Sequence, residues 1–306
     1  MTHLRSIRDL TRLQVEEIFR LAAELKSRQK AGDRSMPLAG RVLAMIFEKP
    51  SLRTRVTFEV GIVQLGGYPV YLAPGDIQMG VRESVADVGR NLGRWVDGIV
   101  ARVFRHETVE ELARHAGVPV INALSDREHP CEALTDFFTL LEQGMDLNKL
   151  KLAWVGDGNN VCHSLILLAG LLGSAMTVST PAGYEPAPEN VATARAWGGR
   201  IELVGDPRAA VRDADALYTD VWTSMGQEAE AETRRTNFRD YQINRALLAE
   251  AKPGARVMHC LPAHRGEEIT DEVLDGPQSI VLVQAENRLH VQKAVLVHLF
   301  GRSAAG

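Results

Sequence analysis

The sequence predicts an α/β protein made of two doubly wound domains, each built on a parallel β-sheet. Short apolar runs alternate with helical patterns along nearly the whole chain, as they do when helices connect and cover parallel strands. The chain has 306 residues, and a domain has roughly 150 residues, so two domains are expected. A polar stretch at 142–148 separates two series of elements and predicts the boundary.

The first series opens with a helix over 12–30, where Val15, Ile18 and Ala22 form a stripe at helical spacing. A short apolar run at 42–47 then predicts a buried strand. The elements that follow are a helix at 52–64, a strand near Val70, a helix at 84–95, a strand at 98–103, a helix at 109–115, a strand at 118–122 and a helix at 131–143.

The second series continues the same alternation. It predicts strands at 152–155, 175–179, 201–204, 216–219, 257–260 and 280–283, with helices at 161–172 and 191–197. We therefore expect one domain at 1–144 and a second at 145–286. A C-terminal helix at 287–303 is expected to pack back onto the first domain.

Composition and charge exclude several classes of protein. Apolar residues make up 45% and charged residues 24%, a balance that argues against disorder, collagen-like repeats and coiled coils. The net charge of −4 offers no general attraction for nucleic acid or for an anionic membrane. Any bound anion must therefore meet a local cluster of basic residues.

Cysteine usage and the N-terminus predict a cytoplasmic protein. The three cysteines, Cys131, Cys162 and Cys260, form no C-x-x-C pair, so neither a disulfide framework nor a zinc knuckle is expected. The first ten residues lack the apolar core of a signal peptide. Glycines and a proline interrupt the uncharged segment 164–184, so we predict no membrane span.

Three loops in the first half carry hydrogen-bond donors at strand ends, where such sheets bind ligands. Ser51-Leu52-Arg53-Thr54-Arg55 opens a helix, and its hydroxyls, guanidinium groups and free N–H groups all favour an oxyanion such as phosphate. Arg102 follows a second strand, and His129-Pro130-Cys131-Glu132 follows a third. A helix cap by Ser51 and a surface role for His129 are the alternatives.

The loop Gly156-Asp157-Gly158-Asn159-Asn160-Val161 follows the first strand of the second half and is a partial G-x-G-x-x-G pattern. A nicotinamide cofactor would require an acidic residue about 20 positions later, after the next strand. That strand instead ends in Ser179-Thr180-Pro181. We therefore interpret the asparagines as groups that bind a small molecule.

Two more strand ends in the second half bring reactive groups to the same edge. Asp220 opens the segment D-V-W-T-S-M-G and offers a carboxylate to a cationic group. Cys260 lies in His259-Cys260-Leu261-Pro262, although a buried cysteine is often only a small packed residue. Arg288 begins the last helix and adds a guanidinium.

Together these motifs resemble those of the aspartate/ornithine carbamoyltransferase family. The similarity extends over essentially the whole chain, in order and in spacing. The matching segments are S-L-R-T-R at 51–55, H-P-C-E at 129–132, D-G-N-N-V at 157–161, D-V-W-T-S-M-G at 220–226, H-C-L-P at 259–262 and E-N-R at 286–288. The S-M-G residues are similar to the ornithine branch of the family.

The resemblance implies a carbamoyltransferase of arginine metabolism. It would transfer the carbamoyl group of carbamoyl phosphate to the δ-amine of L-ornithine, giving L-citrulline and phosphate. The first domain would bind carbamoyl phosphate, the second would bind ornithine, and the active site would lie in the cleft between them. No metal or organic cofactor is implied, and neither nucleic acid nor a membrane is an expected partner.

The resemblance also assigns residues to each substrate. Carbamoyl phosphate would be bound by Ser51, Leu52, Arg53, Thr54, Gln78, Arg102, His129, Pro130, Cys131, Glu132, Cys260, Leu261 and Arg288. Ornithine would be bound by Asn160, Asp220, Ser224 and Met225. The catalytic groups would be Arg102, His129, Asp220 and Cys260.

Two positions depart from the family's pattern, and one segment implies an assembly. The family usually has Thr in place of Leu52 and Gln in place of Glu132.

Asp76-Ile77-Gln78 is similar to a loop that reaches the neighbouring subunit's site, which implies a homotrimer with shared active sites. The alternative functions are transfer to another amine, such as N-acetylornithine or putrescine, a non-catalytic binding protein, and a nicotinamide-dependent oxidoreductase.

Overall fold

The computed structural model describes residues 2–224 and 226–301. Its first elements are α1 (Arg12–Lys30), β1 (Val42–Phe47), α2 (Leu52–Gln64), β2 (Tyr68–Leu72), α3 (Pro74–Ile77), α4 (Val85–Leu92), β3 (Gly98–Arg102), α5 (His106–His115), β4 (Val120–Leu124) and α6 (Pro130–Glu142). Then follow β5 (Lys151–Val155), α7 (Asn160–Leu172), β6 (Ala175–Ser179), α8 (Pro188–Ala196), β7 (Arg200–Val204), α9 (Pro207–Val211) and β8 (Ala216–Thr219). The last are α10 (Ala231–Phe238), α11 (Arg245–Leu248), β9 (Arg256–His259), α12 (Asp271–Leu274) and α13 (Val281–Phe300), and short 3₁₀ helices occupy Ile7–Asp9, Glu228–Glu230 and Arg239–Tyr241.

The chain divides into two compact units. The first contains the residues up to Phe138 and those from Glu286 onward, and the second is Thr139–Ala285. The predicted domains, 1–144 and 145–286 with a C-terminal helix at 287–303, differ from these units by a few residues at each boundary. The larger part of α13 thus belongs to the first unit.

The first unit is built on a four-stranded parallel sheet in the order β2-β1-β3-β4. Its strands are rich in Val, Ile, Leu and Ala, because both faces of a parallel sheet are covered. Apolar side chains from β1, β3 and β4 pack with those of α4 and α5 in one buried cluster. Its fully buried members include Ala44, Ile99, Ala101, Val109, Leu112 and Val120.

The second unit is built on a five-stranded parallel sheet in the order β7-β6-β5-β8-β9. Its buried cluster joins β5, β8 and β9 to the segments that follow them, and Ala153, Val155, Leu217, Val257 and Ile269 are fully buried there. The two parallel sheets confirm the predicted fold class.

One predicted strand is wrong. The run 280–283 was expected to be a strand, but α13 begins at Val281 and continues without a break to Phe300. A run of four apolar residues has the same pattern at the start of a buried helix as in a buried strand, so periodicity does not distinguish them. Within residues 2–224 and 226–301, no helix has the length and apolar character that a bilayer crossing requires.

A buried lysine connects α13 to α1 and α2. The Nζ atom of Lys293 donates hydrogen bonds to the Oε1 atoms of Gln29 at 2.6 Å and Gln64 at 3.0 Å. Burial lowers the pKa of Lys293 to about 8. Burial, with help from Lys293, also lowers the pKa of His290 to about 3. This region of the first unit therefore becomes more stable when its lysine loses a proton.

We predict that this lysine makes the stability of the chain depend on pH. In the unfolded chain the pKa of Lys293 returns to 10.5, so the unfolded state binds more protons between pH 8 and 10.5. The unfolding free energy of the wild type, relative to that of Lys293→Met, should rise by about 2 kcal/mol from pH 7.5 to 9.5. Denaturant unfolding at each pH measures it.

The exposed Lys149 provides the control, because Lys149→Met removes a lysine that is not buried. It should leave the pH dependence as it is in the wild type. Equal pH slopes for the wild type and Lys293→Met would contradict the prediction.

Candidate active site

Both sheets have one point at which the strand order reverses direction. In the first sheet it lies between β1 and β3, and in the second it lies between β5 and β8. At such a point the loops at the carboxyl ends of the two strands diverge, which leaves a crevice for a ligand. Ser51 follows β1 and Arg102 ends β3, while Asn160 follows β5 and Asp220 follows β8, so the topology gives each unit its own candidate half-site.

Ser51 caps the helix that follows β1. Its Oγ accepts a hydrogen bond from the N–H of Thr54 at 3.2 Å, and its backbone is extended. The N–H groups of Leu52 and Arg53 lie in the first turn, where a helix has no carbonyl partners for them. The helix end therefore offers donors and a positive dipole to an anion. Capping and anion binding are both available to this loop.

A buried guanidinium lies beside this helix end. Arg288 of α13 is 2% exposed, and its Nη2 donates to the Oγ1 of Thr54 at 2.9 Å. Its Nη1 donates to the Oε2 of Glu132, which is also buried. Asn287, the preceding residue, accepts a hydrogen bond from the Nζ of Lys26 at 2.6 Å. These bonds hold α13 against helices α1, α2 and α6.

His129 lies at the same place, directly before α6. Its Nε2 is 3.2 Å from the Oε2 of Glu132. Burial, together with the positive charges of Arg288 and Arg102, holds the pKa of His129 well below its usual value. The imidazole is therefore neutral near pH 7, and a neutral imidazole donates one hydrogen bond and accepts another.

Three other residues predicted to bind carbamoyl phosphate are Arg102, Pro130 and Cys131, and they have different structural roles. Arg102 ends β3, and Pro130 is the first residue of α6, where its missing N–H costs nothing. The Sγ of Cys131 donates to the carbonyl of Asn122 at 3.7 Å, and burial raises the pKa of Cys131 to about 12. Cys131 is thus a packed thiol in this structure.

Leu52 and Gln78 are exposed. Gln78 ends α3 in a left-handed conformation, with φ of 45°, and its backbone bonds are to its own loop. It lines a surface pocket of the first unit with Glu48, Phe104 and the α3 segment. The structure does not bring it into hydrogen-bond contact with Thr54, Arg288 or Glu132.

In the second unit, Asn159 and Asp220 meet across the reversal point. Asn159 caps α7 through its Oδ1, which accepts from the N–H of Val161 at 3.0 Å and of Cys162 at 3.1 Å. Its Nδ2 donates to the Oδ2 of Asp220 at 2.8 Å. The neighbouring Asn160, which the resemblance assigns to ornithine, is the first residue of α7.

Asp220 also binds a thiol. The Sγ of Cys260 donates to its Oδ1 at 3.0 Å, and the N–H of Val221 donates to the same oxygen at 2.8 Å. Asp220 is buried and Cys260 is partly exposed. The two predicted catalytic residues of this unit are therefore in direct contact.

The segment after β9 is held by a buried imidazole. The Nδ1 of His259 accepts from the N–H of Leu261 at 2.8 Å, so its Nε2 carries the proton that faces Glu268 at 3.0 Å. Glu268 also accepts from the N–H of His264 at 2.6 Å. Leu261 has a φ of 60°, a left-handed value that side chains disfavour, and these bonds help to hold it.

A second buried carboxylate, that of Asp157, lies near Asp220. Arg234 donates to Asp157 at 3.0 Å and to the carbonyl of Trp222 at 2.8 Å. Burial nevertheless raises the pKa of Asp157 to about 6. Gly158 is required in this loop, because a Cβ there would lie 2.3 Å from the backbone nitrogen of Pro186. The sequence offered no signal for Arg234, which lies in a polar helix.

Ser224 is partly buried, and its N–H donates to the Oε1 of Gln227 at 3.1 Å. Met225, the other residue predicted for ornithine in this loop, lies outside the described residues.

Two clusters among the described residues of this unit have side chains that can bind a cation, His264 with Glu267 and Glu268, and Asp220 with His259 and Cys260. The second of these lies at the strand ends. Asp220, His259 and Cys260 each offer one ligand atom within 4.8 Å of the others. Both imidazole nitrogens and both carboxylate oxygens are engaged in the hydrogen bonds described above. A metal ion would have to replace those bonds, and the expectation that no metal is needed stays a prediction.

Comparison with known proteins identifies the family. The family model described as the carbamoyl-P binding domain of aspartate/ornithine carbamoyltransferase matches residues 2–142. The model of the Asp/Orn binding domain of the same family matches residues 148–299. The chain belongs to the aspartate/ornithine carbamoyltransferase family. The resemblance read from the motifs is confirmed.

Relatives in this family match over nearly their whole length. An ornithine carbamoyltransferase of Thermococcus kodakarensis is 54% identical over 299 residues, covering 96% of this chain and 95% of that protein. One from Methanoculleus marisnigri is 53% identical, with 98% and 97% covered. The solved ornithine carbamoyltransferase of Pyrococcus furiosus is 51% identical, with a TM-score of 0.95 over 98% of this chain and 97% of that one.

The contact between Asp220 and Cys260, together with the burial of the other two cysteines, predicts how the three thiols of this chain react with an alkylating agent. Iodoacetamide at pH 8 should alkylate Cys260 only, because burial raises the pKa of Cys131 to about 12 and that of Cys162 well above its usual value. Asp220→Asn should speed the alkylation of Cys260 about tenfold, since a neighbouring negative charge disfavours the thiolate. Mass spectrometry of timed samples measures both.

Asp215→Asn is the matched control. Asp215 also accepts a backbone N–H, from Lys151, but at the amino end of β5. It should leave the alkylation rate unchanged. Equal rates for the wild type and Asp220→Asn, or labelling of Cys131 in the folded protein, would refute the assignment.

Proposed function

We propose that this chain catalyses the transfer of a carbamoyl group from carbamoyl phosphate to the δ-amine of L-ornithine, giving L-citrulline and phosphate. The observation that carries the proposal is its identity of more than half, over nearly the whole chain, to proteins named ornithine carbamoyltransferase. The chemistry of the two half-sites supports it independently.

The first half-site suits the phosphate of carbamoyl phosphate. We infer that Ser51, Arg53 and the N–H groups of the first turn of α2 bind its oxygens, because a helix end and a guanidinium both favour a dianion. Arg288 is held beside that turn, where its Nη2 lies 2.9 Å from the Oγ1 of Thr54. Leu52 contributes its N–H, which does not depend on its side chain.

The second half-site suits an amine that must lose a proton. The δ-amine of ornithine has a pKa near that of lysine, about 10.4, so at neutral pH it is almost wholly protonated and not nucleophilic. We infer that the Asp220 carboxylate receives this ammonium group, with Asn159 and Cys260 holding the carboxylate in place. Asn160, Ser224 and Met225 are proposed to bind the amino-acid end.

The reaction then needs a group that stabilises negative charge. When the amine attacks the carbamoyl carbon, charge develops on the carbonyl oxygen of a tetrahedral intermediate. Arg102, the neutral His129 and the Thr54 hydroxyl are proposed to donate hydrogen bonds to it, and preorganised donors of this kind are usually the largest catalytic contribution. The bond between the carbamoyl carbon and the phosphate oxygen then breaks, and phosphate leaves with its charge partly balanced by Arg53. We propose that the leaving phosphate accepts the proton that the amine loses. We propose no metal and no organic cofactor.

The proposed setting is the cytoplasm, where the three free thiols would stay reduced. The proposed pathway is arginine metabolism. Catalysis accelerates both directions of the reaction, so the direction in the cell follows from substrate supply.

A panel of acceptor amines tests the function. Citrulline formation from carbamoyl phosphate should be fastest with L-ornithine and lower by about tenfold or more with lysine, putrescine and N-acetylornithine. The colorimetric citrulline assay and its analogue for each product measure this. A preference for N-acetylornithine or putrescine would favour the alternative acceptor. No turnover with any amine, in a chain that still binds ornithine, would favour a binding protein.

We also propose that the chain forms a homotrimer. A row of exposed apolar side chains follows one face of α2 and continues onto the edge strand β2. Its members are Leu52, Val56, Val60, Val63, Tyr68 and Val70. An exposed apolar patch of this extent is typical of a surface that another chain covers. The resemblance of the Gln78 loop to one that reaches a neighbouring subunit's site also supports an assembly of this kind.

Light scattering tests the assembly. The wild type should have the mass of three chains, and the double variant Val56→Asp/Val60→Asp should dissociate to one, because two buried charges destabilise an interface. Leu13→Asp, which changes a single exposed leucine on α1, should remain a trimer. A monomeric wild type, or a double variant of unchanged mass, would contradict the proposal.

A further inference from the structure

Glu132 is a buried acid among the groups proposed to bind an anion. It lies in the first turn of α6 and is 2% exposed. Its Oε2 accepts a hydrogen bond from the Nη1 of Arg288 and lies 3.2 Å from the Nε2 of His129. One carboxylate oxygen thus faces two of the donors that the proposed function assigns to carbamoyl phosphate.

The imidazole of His129 is committed to this contact. Burial and the nearby arginines hold the pKa of His129 well below its usual value, so the ring is neutral and has one N–H. Because a carboxylate oxygen only accepts hydrogen bonds, the proton must lie on Nε2 in this arrangement. The N–H of His129 therefore points to Glu132.

The guanidinium of Arg288 donates hydrogen bonds to two different residues. Nη1 donates to Glu132 and Nη2 donates to Thr54, while Nε is buried and has no hydrogen-bond partner among the described residues. An anion that binds to this guanidinium can use Nε directly. To use the donor that Glu132 occupies, it must displace the carboxylate.

We propose that Glu132 and carbamoyl phosphate compete for Arg288 and His129, so that binding of this substrate is coupled to the uptake of a proton by Glu132. The inference rests on the proposed function and extends it to one residue. Two anions that share the same buried donors repel each other, and protonation of one of them removes the repulsion.

The protonated side chain also has the better hydrogen bonds for this substrate. A neutral carboxyl group has one O–H donor and a carbonyl acceptor, as a glutamine side chain has both kinds of group. It can therefore donate to the carbamoyl carbonyl or accept from the carbamoyl NH2. The carboxylate can only accept.

The groups that face Glu132 leave it as the one that titrates. Arg288 on α13 donates to Glu132, and Arg102 at the end of β3 acts on His129. A guanidinium does not release its proton in a protein. His129 is neutral before the substrate binds, for the reasons given above, and any proton that it takes up with the substrate is also taken up by Glu132→Gln. The neighbouring Cys131 keeps its proton, since burial raises its pKa to about 12. A proton taken up with the substrate near pH 7 is therefore assigned to Glu132.

Calorimetry with carbamoyl phosphate tests the coupling. Glu132→Gln keeps the shape and removes the charge, so it should bind carbamoyl phosphate about tenfold more tightly at pH 8. This advantage should shrink as the pH falls to 6, because the wild type becomes protonated. Titrations in two buffers of different ionisation enthalpy should show the wild type taking up more protons per substrate than Glu132→Gln.

Glu128→Gln is the matched control. Glu128 is another buried carboxylate of the same segment, but it accepts from Ser6 and from the N–H of Ile7 at 3.0 Å. Glu128→Gln should change the affinity for carbamoyl phosphate by no more than about twofold. It should leave the number of protons taken up per substrate unchanged. The wild-type proton count needs no variant, so the test stands even if Glu132→Gln does not fold.

Two results would overturn the inference. One is an affinity of Glu132→Gln that equals or falls below that of the wild type at every pH. The other is a proton uptake by the wild type that is zero, or that equals the uptake by Glu132→Gln. If the wild type still forms citrulline, only the inference fails. If the wild type neither binds carbamoyl phosphate nor forms citrulline, the proposed function fails with it.

Discussion

The buried guanidinium of Arg288 is the interaction on which the first half-site depends. A buried charge is tolerated only when it is paired and hydrogen-bonded, and removing one partner of such a pair costs roughly 3–5 kcal/mol. Thr54 and Glu132 supply those bonds, and they bring α2, α6 and α13 together. The same requirement keeps positive charge beside the N-terminus of α2, where an anion is expected.

The order of the strands explains why the strand-end residues of each unit lie close to one another. Parallel strands have all their carboxyl ends at one edge, and each sheet reverses its order once, between β1 and β3 or between β5 and β8. Ser51 and Arg102 follow the first pair, and Asn159 and Asp220 follow the second. The fold therefore places a helix N-terminus and arginines at the strand ends of one unit, where they favour an anion, and Asp220 at the strand ends of the other, where it favours an ammonium group.

Sequence patterns predicted the strands and the strand-end residues well, because both depend on local periodicity and on parallel topology. Arg102 and Asp220 were found in this way. The pairing of Arg288 with Glu132 was not, since it joins residues 156 positions apart. The sequence did not distinguish the roles of Asn159 and Asn160, because only the helix geometry makes Asn159 the cap of α7. The prediction of a strand at 280–283 was wrong because a run of four apolar residues is equally typical of a buried strand and of the start of a buried helix.

A crystal structure with phosphonoacetamide, a stable mimic of carbamoyl phosphate, tests the account most directly. The phosphonate oxygens should lie about 2.7–3.2 Å from the N–H groups of the first turn of α2 and from the guanidinium of Arg53. The amide end should lie beside His129 and Arg288. A phosphonate bound away from α2, with Arg53 turned into solvent, would contradict it.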